Sequence, residues 1–207
     1  MSRSLVMLRR LRGEERGATI VEFALIVGPM LLLLLGGLEL GYNSYVRAVM
    51  QGALSDAARA AAVEYPIIDV PGNSVEEQVE NLVKTSVGHV APQAVVSVTS
   101  RSYFDFSSIG DPEKLMTDHN GNGQFDEEDG DCWEDANGNE TYDGDSGTSG
   151  HGGADDVVHY TASVTAPRLF PLYVFLPAVG SQIDFKVETA VRNQPYNTQP
   201  TPAVICA

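Results

Sequence analysis

Arg16-Gly17-Ala18-Thr19-Ile20-Val21-Glu22-Phe23-Ala24-Leu25-Ile26-Val27-Gly28-Pro29-Met30-Leu31-Leu32-Leu33-Leu34-Leu35-Gly36-Gly37-Leu38 is the stretch on which the reading of this chain turns. From Ala18 to Leu38 it is apolar except at Thr19 and Glu22. As a helix the run is about 31 Å long, enough to cross a hydrocarbon core of ~30 Å. Arg3, Arg9, Arg10, Arg12 and Arg16 precede it against Glu14 and Glu15. Such a basic flank stays in the cytoplasm, so residues 1–17 read as a basic cytoplasmic leader and the chain beyond the run lies outside. A cleaved secretory signal has a shorter apolar stretch and a small-x-small site after it. Here the run exits through Gly36-Gly37-Leu38-Glu39-Leu40-Gly41-Tyr42, so removal by ordinary signal peptidase is not expected. Pro29 lacks a helix donor and can bend the span. Gly36 and Gly37 permit close helix approach, although both residue types are also ordinary in membrane helices.

Outward from the span, the chain stays free of proline to Glu64. Tyr42, Tyr45, Val46, Val49, Met50, Ala53, Leu54, Ala57, Ala60 and Ala61 recur at three- and four-residue spacings, which predicts one helix and stalk over 18–64, ended by Pro66. A second helix is expected from Ser74 to Val87, with Ser74 as cap, Glu77 at capping-box spacing, and Val75, Val79, Leu82 and Val83 on its apolar side. Alternation and β-branching predict strands at Ala94–Tyr103, Asp156–Thr165 and Gln182–Arg192. The expected fold is α+β: an N-terminal membrane-spanning helix continuing into a small antiparallel sheet domain, residues 65–207. Phe170–Pro177 is apolar, too short to span a bilayer, and broken by prolines into a loop, either buried or facing a partner.

The net charge of −15 is local. Between Asp105 and Asp156 stand sixteen acids and one base, Lys114, while the rest of the chain is balanced. This segment repels phosphates and attracts cations, so no nucleic acid partner is expected. It reads as an insertion, 105–156, between the first two strands, and a connection of that length needs something to organise it. Asp118, Asn120, Asn122, Gln124, Asp126 and Asp129 occupy positions 1, 3, 5, 7, 9 and 12 of a twelve-residue loop, with Gly123 at 6 and Phe125 at 8. Calcium takes six to eight oxygens, and this spacing wraps side-chain oxygens around one ion, position 7 giving its carbonyl. The loop departs from the EF-hand pattern at Asp129, where a bidentate Glu is usual, and it lacks clear flanking helices. It resembles the isolated calcium loops of thrombospondin type 3 and dockerin modules. Seventeen residues on stands a partial copy: Asp135, Asn137, Asn139, Thr141 and Asp143, with Glu140 where Gly belongs and Ser146 where the closing acid belongs, Asp145 being the nearest substitute. One or two calcium ions are the expected cofactor. The competing reading is a disordered acidic spacer rich in Gly and Ser.

Cys132 and Cys206 both follow the span. In an oxidising compartment they could pair, stabilising by roughly 4 kcal/mol in the chain-entropy model; two free thiols or a bond between subunits are the alternatives. His89, His119, His151 and His159 match no zinc spacing, and no nucleophile elbow or phosphate-cradling loop is present, so no enzyme activity is expected.

Glu22 is the costly residue, because an ionisable group within an apolar span needs a partner unless it lies near the interface and snorkels outward. A cut between Gly17 and Ala18 would make Glu22 the fifth residue, which resembles the type IV prepilin processing site. The run from Arg16 to Val27, with Pro29, the leucines, Gly37 and Glu39, resembles the TadE-like pseudopilins of the tight-adherence (Flp/Tad) pilus apparatus over about 25 residues. The chain is too long for the short major Flp pilin. The resemblance implies cleavage by a prepilin peptidase on the cytoplasmic side and a Glu22 that neutralises a newly made amino terminus. It further implies other pilins or pseudopilins and Tad assembly proteins as partners. It places the protein in the bacterial inner membrane as a single-pass chain with its C-terminal domain periplasmic, whether or not it enters the pilus. The alternative keeps the topology without processing: an uncleaved, signal-anchored calcium-binding adhesion or scaffold protein.

Overall fold

The computed structural model describes residues 16–207, and side chains from Thr19 onward. Most of the basic leader therefore lies outside the described residues. Two compact units are formed by the described residues: 16–44 with 168–181, and 45–167 with 182–207.

The first helix, α1 (Arg16–Ala61), is continuous for 46 residues and contains Pro29. Over the apolar run its large side chains, among them Ile20, Phe23, Leu25, Ile26 and Leu33, are exposed, as expected of a helix whose solvent is lipid. Thr19–Ala61 is the one stretch among the described residues long and apolar enough to cross a membrane. In the second unit the same helix changes character: Val46, Met50, Leu54, Ala57, Ala58 and Ala61 are all buried. It ends at Ala61, five residues before Pro66, because Pro66 disfavours helical backbone at Tyr65 and the Ala62 carbonyl accepts the Gln194 N–H (2.8 Å).

The second helix, α2 (Val75–Val90), starts where its cap predicts: Ser74 Oγ accepts the Glu77 N–H at 3.2 Å. The returning carboxylate of Glu77 accepts from the Asn73 N–H (2.7 Å), one residue earlier than a standard capping box would have it. Val79, Val83 and Val87, at a strict four-residue spacing, are buried without exposure.

The main sheet has the order β4-β1-β5-β6 and is antiparallel throughout, built from β1 (Val95–Tyr103), β4 (Thr148–Ser149), β5 (Val157–Pro167) and β6 (Gln182–Arg192). Its three long strands are the three expected from alternation, to within two residues at each end. Val96, Ala162 and Val187, and Val158 and Val164, belong to the buried face; β5 is the central long strand and alternates buried with half-buried over 158–166. Arg47 of α1 lies over the Phe185 ring (4.9 Å), and Gln51 donates to the Glu188 carbonyl (3.2 Å), so the lower half of α1 runs along β6.

The acidic segment is ordered by a second sheet that alternation does not reveal: β2 (Leu115–Thr117), β3 (Cys132–Asp135) and β7 (Ala203–Cys206), in the order β2-β3-β7. Its strands are three or four residues long, too short for a period of two to show. Cys132 faces Cys206 across β3 and β7, and the two are joined as a disulfide. The carboxy-terminal end of the chain is thereby tied into the middle of the insertion.

Candidate functional site

The two loops on either side of β3 share one skeleton, seventeen residues apart. In the first, Asp118 accepts the N–H groups of Gly121 (2.6 Å) and Gly123 (2.7 Å). In the second, Asp135 accepts those of Gly138 (2.8 Å), Asn139 (3.1 Å) and Glu140 (3.1 Å). Asn120 Oδ1 and Asn122 Oδ1 accept the N–H two residues on, at 2.9 and 2.7 Å; Asn137 and Asn139 do the same at 3.1 and 2.8 Å. The amide Nδ2 groups then converge on position 9. Asn120 and Asn122 donate to Asp126 Oδ2 (3.0 and 2.6 Å), and Asn137 and Asn139 to Asp143 Oδ2 (2.7 and 2.6 Å). These last two bonds, Asn137 first, hold the Asp143 carboxyl below its ordinary range. Position 6 is left-handed in both loops, φ +77° at Gly123 and φ +62° at Glu140. The position 8 rings, Phe125 and Tyr142, stack at 4.3 Å, with Trp133 edge-on to both.

Each loop is also braced by a buried carboxylate that the spacing argument passes over. Asp131 accepts from the backbone of His119 (2.8 Å) and Asp126 (3.0 Å), positions 2 and 9 of the first loop. Glu113 accepts from Ala136 (2.9 Å) and Asp143 (3.1 Å), positions 2 and 9 of the second. The His119 backbone bond, helped by the Asp126 N–H, keeps the Asp131 carboxyl below its usual range, whereas burial pushes that of Glu113 up. Asp131 lies just beyond the first loop and Glu113 far upstream of the second. Only the fold aligns their roles.

The closing positions differ. Asp129 accepts from Asn120 Nδ2, so the first loop is drawn shut by a carboxylate. Ser146 is buried and donates to the Ser108 carbonyl (3.2 Å). Asp145 pairs with Arg101 and also accepts the Gly147 N–H (3.1 Å). The structure thus gathers Asn120, Asn122, Asp126 and Asp129, with Asp118 held on the Gly121 and Gly123 N–H groups, and separately Asn137, Asn139 and Asp143, with Asp135 held on the Gly138, Asn139 and Glu140 N–H groups; it directs Asp145 to Arg101 instead. Gln124 and Thr141 enter through their backbone N–H groups. Among the described residues no three His, Cys, Asp or Glu side chains are grouped so as to hold a metal, so any cation would depend on the amide oxygens.

On α1, Glu22 is exposed among apolar neighbours, and the Gly17–Ala18 bond lies inside the helix. Glu39, at the far end of the apolar run, is only 2 % exposed. Its carboxylate accepts the Phe170 N–H (3.1 Å) and pairs with Arg168 (3.5 Å). Residues 17–59 match the family model of the TadE-like proteins. The likeness to the TadE-like proteins is confined to this segment. The match covers the span, Glu22, Glu39 and the buried lower half of α1, and stops short of every strand. No curated protein and no solved structure matches the chain. The sequence reading placed Glu39 in the TadE-like pattern but missed its partner, Arg168, which is 129 residues away. No local signal joins the two.

Proposed function

We propose that the chain is a TadE-like pseudopilin that acts in Tad-type pilus assembly or related secretion, anchored by one helix and carrying a calcium-stabilised external domain. The observation that carries this reading is the coincidence of the family match with an apolar helix that presents Glu22 five residues after Gly17. A carboxylate exposed to lipid is costly, and pairing with a new amino terminus at Ala18 removes that cost as helices bundle. The arginines before the span favour a cytoplasmic leader, open to a prepilin peptidase, and an external C-terminal domain. The mass of the protein extracted from membranes tests this directly. The mature chain is expected to begin at Ala18, and retention of Met1–Gly17 would leave only an uncleaved, anchored scaffold. Glu22→Ala is expected to block assembly without loss of the anchor.

Calcium is supported by donor chemistry. Asp118, Asn120, Asn122, Asp126 and Asp129, with the Gln124 carbonyl, are the hard oxygen ligands the ion takes. Amide Nδ2 groups draw the Asp126 and Asp129 carboxylates together, which is the work a cation would do by charge. Calcium at a hundredfold excess over its dissociation constant would add about 2.7 kcal/mol. A melting temperature that ignores both calcium and chelator would remove the ion from the account.

A further inference from the structure

The loop from Arg168 to Ser181 belongs to the same compact unit as the membrane helix. It is closed at its base by the Arg168 N–H to Ser181 carbonyl bond (3.3 Å) and carries no charge beyond Arg168. Leu169, Tyr173, Val174, Phe175 and Leu176 are exposed, Val174 by 64 % and Phe175 by 69 %. An apolar patch of this kind needs a cover, and three observations identify it.

The first is its level. Glu39 immediately follows an apolar run as long as the hydrocarbon core is thick, so it stands where the bilayer gives way to headgroups. Both bonds from Glu39, to Arg168 and to the Phe170 N–H, fix the loop at that level. The second is composition. Tyr173 stands among exposed aliphatic and phenylalanine side chains, and tyrosine is enriched where a bilayer meets water. The third is the backbone, which must meet its own hydrogen-bonding needs to enter a medium poor in water. The N–H groups of Leu172, Val174, Phe175, Leu176 and Val179 bond within the loop at 2.8–3.1 Å, and Pro171 and Pro177 have none to satisfy. The Arg168 guanidinium takes the carbonyls of Val179 and Gly180 (3.0 Å each from Nε).

We propose that residues 168–181 form an interfacial foot that inserts Tyr173, Val174, Phe175 and Leu176 into the outer leaflet beside the span, held at depth by the Glu39–Arg168 pair. The inference rests on the membrane-helix reading but not on processing after Gly17. Full-length Phe175→Trp, reconstituted in phosphatidylcholine–phosphatidylglycerol vesicles, tests it against the parent, whose single Trp133 is buried. Vesicle flotation reports the span independently. In floated protein, lipids brominated near the headgroup should remove most of the added emission while aqueous acrylamide removes little. Val174→Trp should behave likewise. Quenching by acrylamide alone would overturn the foot by placing the loop in water. Protection from both quenchers would overturn it in favour of a second protein copy. Protein that fails to float would refute the span itself.

Discussion

The two acidic loops are nearly the same object made in two ways. Residues 118–129 meet most of their demands locally: glycine at the left-handed position, an aspartate to close, and a brace, Asp131, two residues past the loop's end. Residues 135–146 reach the same backbone course with Glu140 in left-handed backbone, no closing carboxylate, and a brace, Glu113, borrowed from beyond β3. The Asx bonds that set the course are shared, and their lengths differ by a few tenths of an ångström at most. A loop geometry can therefore persist after its consensus residues are lost, provided that the tertiary structure supplies the missing acceptor. Such a loop holds its shape, but it has one carboxylate fewer to offer a cation.

The largest effect should come from the tie between the loops. Replacing Cys132 and Cys206 by Ser opens a closure spanning 74 residues and should cost roughly 4 kcal/mol. Limited proteolysis of that variant should cut near Asp131 before it cuts in 135–146, because Ala207 also donates to the Asp131 carbonyl (3.0 Å). First cleavage inside 135–146 would break the comparison. Next in size is the contrast at position 1. Without calcium, Asp135→Ala should cost about 3 kcal/mol, since a buried carboxylate is removed from three backbone donors, and Asp118→Ala, more exposed, about 1 kcal/mol. Calcium should narrow or reverse that gap in denaturant titrations if the first loop is the better site.

A smaller effect is expected at position 6. Glu140→Gly relieves left-handed strain and should stabilise by about 1 kcal/mol, while Gly123→Ala should destabilise by a similar amount. No other heavy atom lies within 4 Å of a Cβ at Gly123, so the effect there is one of backbone alone. Equal responses at both sites would contradict the assignment. The smallest effect concerns the braces, which should titrate with opposite sign. Asp131 is depressed below 3.8, so its contribution is present above that value and lost as pH falls through the lower folded one. Glu113 is raised above 4.5, so its contribution is present below that value and lost as pH rises through the folded one. As pH rises across these windows, Asp131→Asn should fall further behind the parent in melting temperature and Glu113→Gln should gain on it. Parallel trends would show that backbone donors at Asp131 and desolvation at Glu113 do not shift the two carboxylates in opposite directions.

Much of the architecture was legible because it follows from periodicity. The span from Ala18, the Ser74 cap, and the strand Gln182–Arg192 each announce themselves within a dozen residues, where hydrophobic spacing or a cap has a single cheap solution. The second sheet did not announce itself. β2, β3 and β7 are short, and β7 takes its place through Cys206, whose partner the sequence left open among three possibilities. In the candidate site the two loops could be read from spacing, Gly123 and Phe125. Asp145 could not, since its preference for Arg101 over the loop depends on β1 lying beside β4. Glu113 and Asp131 looked like two of sixteen acids until burial and bonding singled them out.

By itself the sequence determined that the chain has a lipid-compatible helix flanked by arginines, an isolated glutamate within it, an α+β domain beyond it, and repeated oxygen-rich loops. Each of these is a property of neighbours along the chain. The tertiary structure decided which acid braces which loop, which cysteine meets which, and that Glu39 reaches Arg168 and Phe170. Those pairings join residues far apart in sequence, and their energy is realised only where folding has already removed water and brought donor to acceptor.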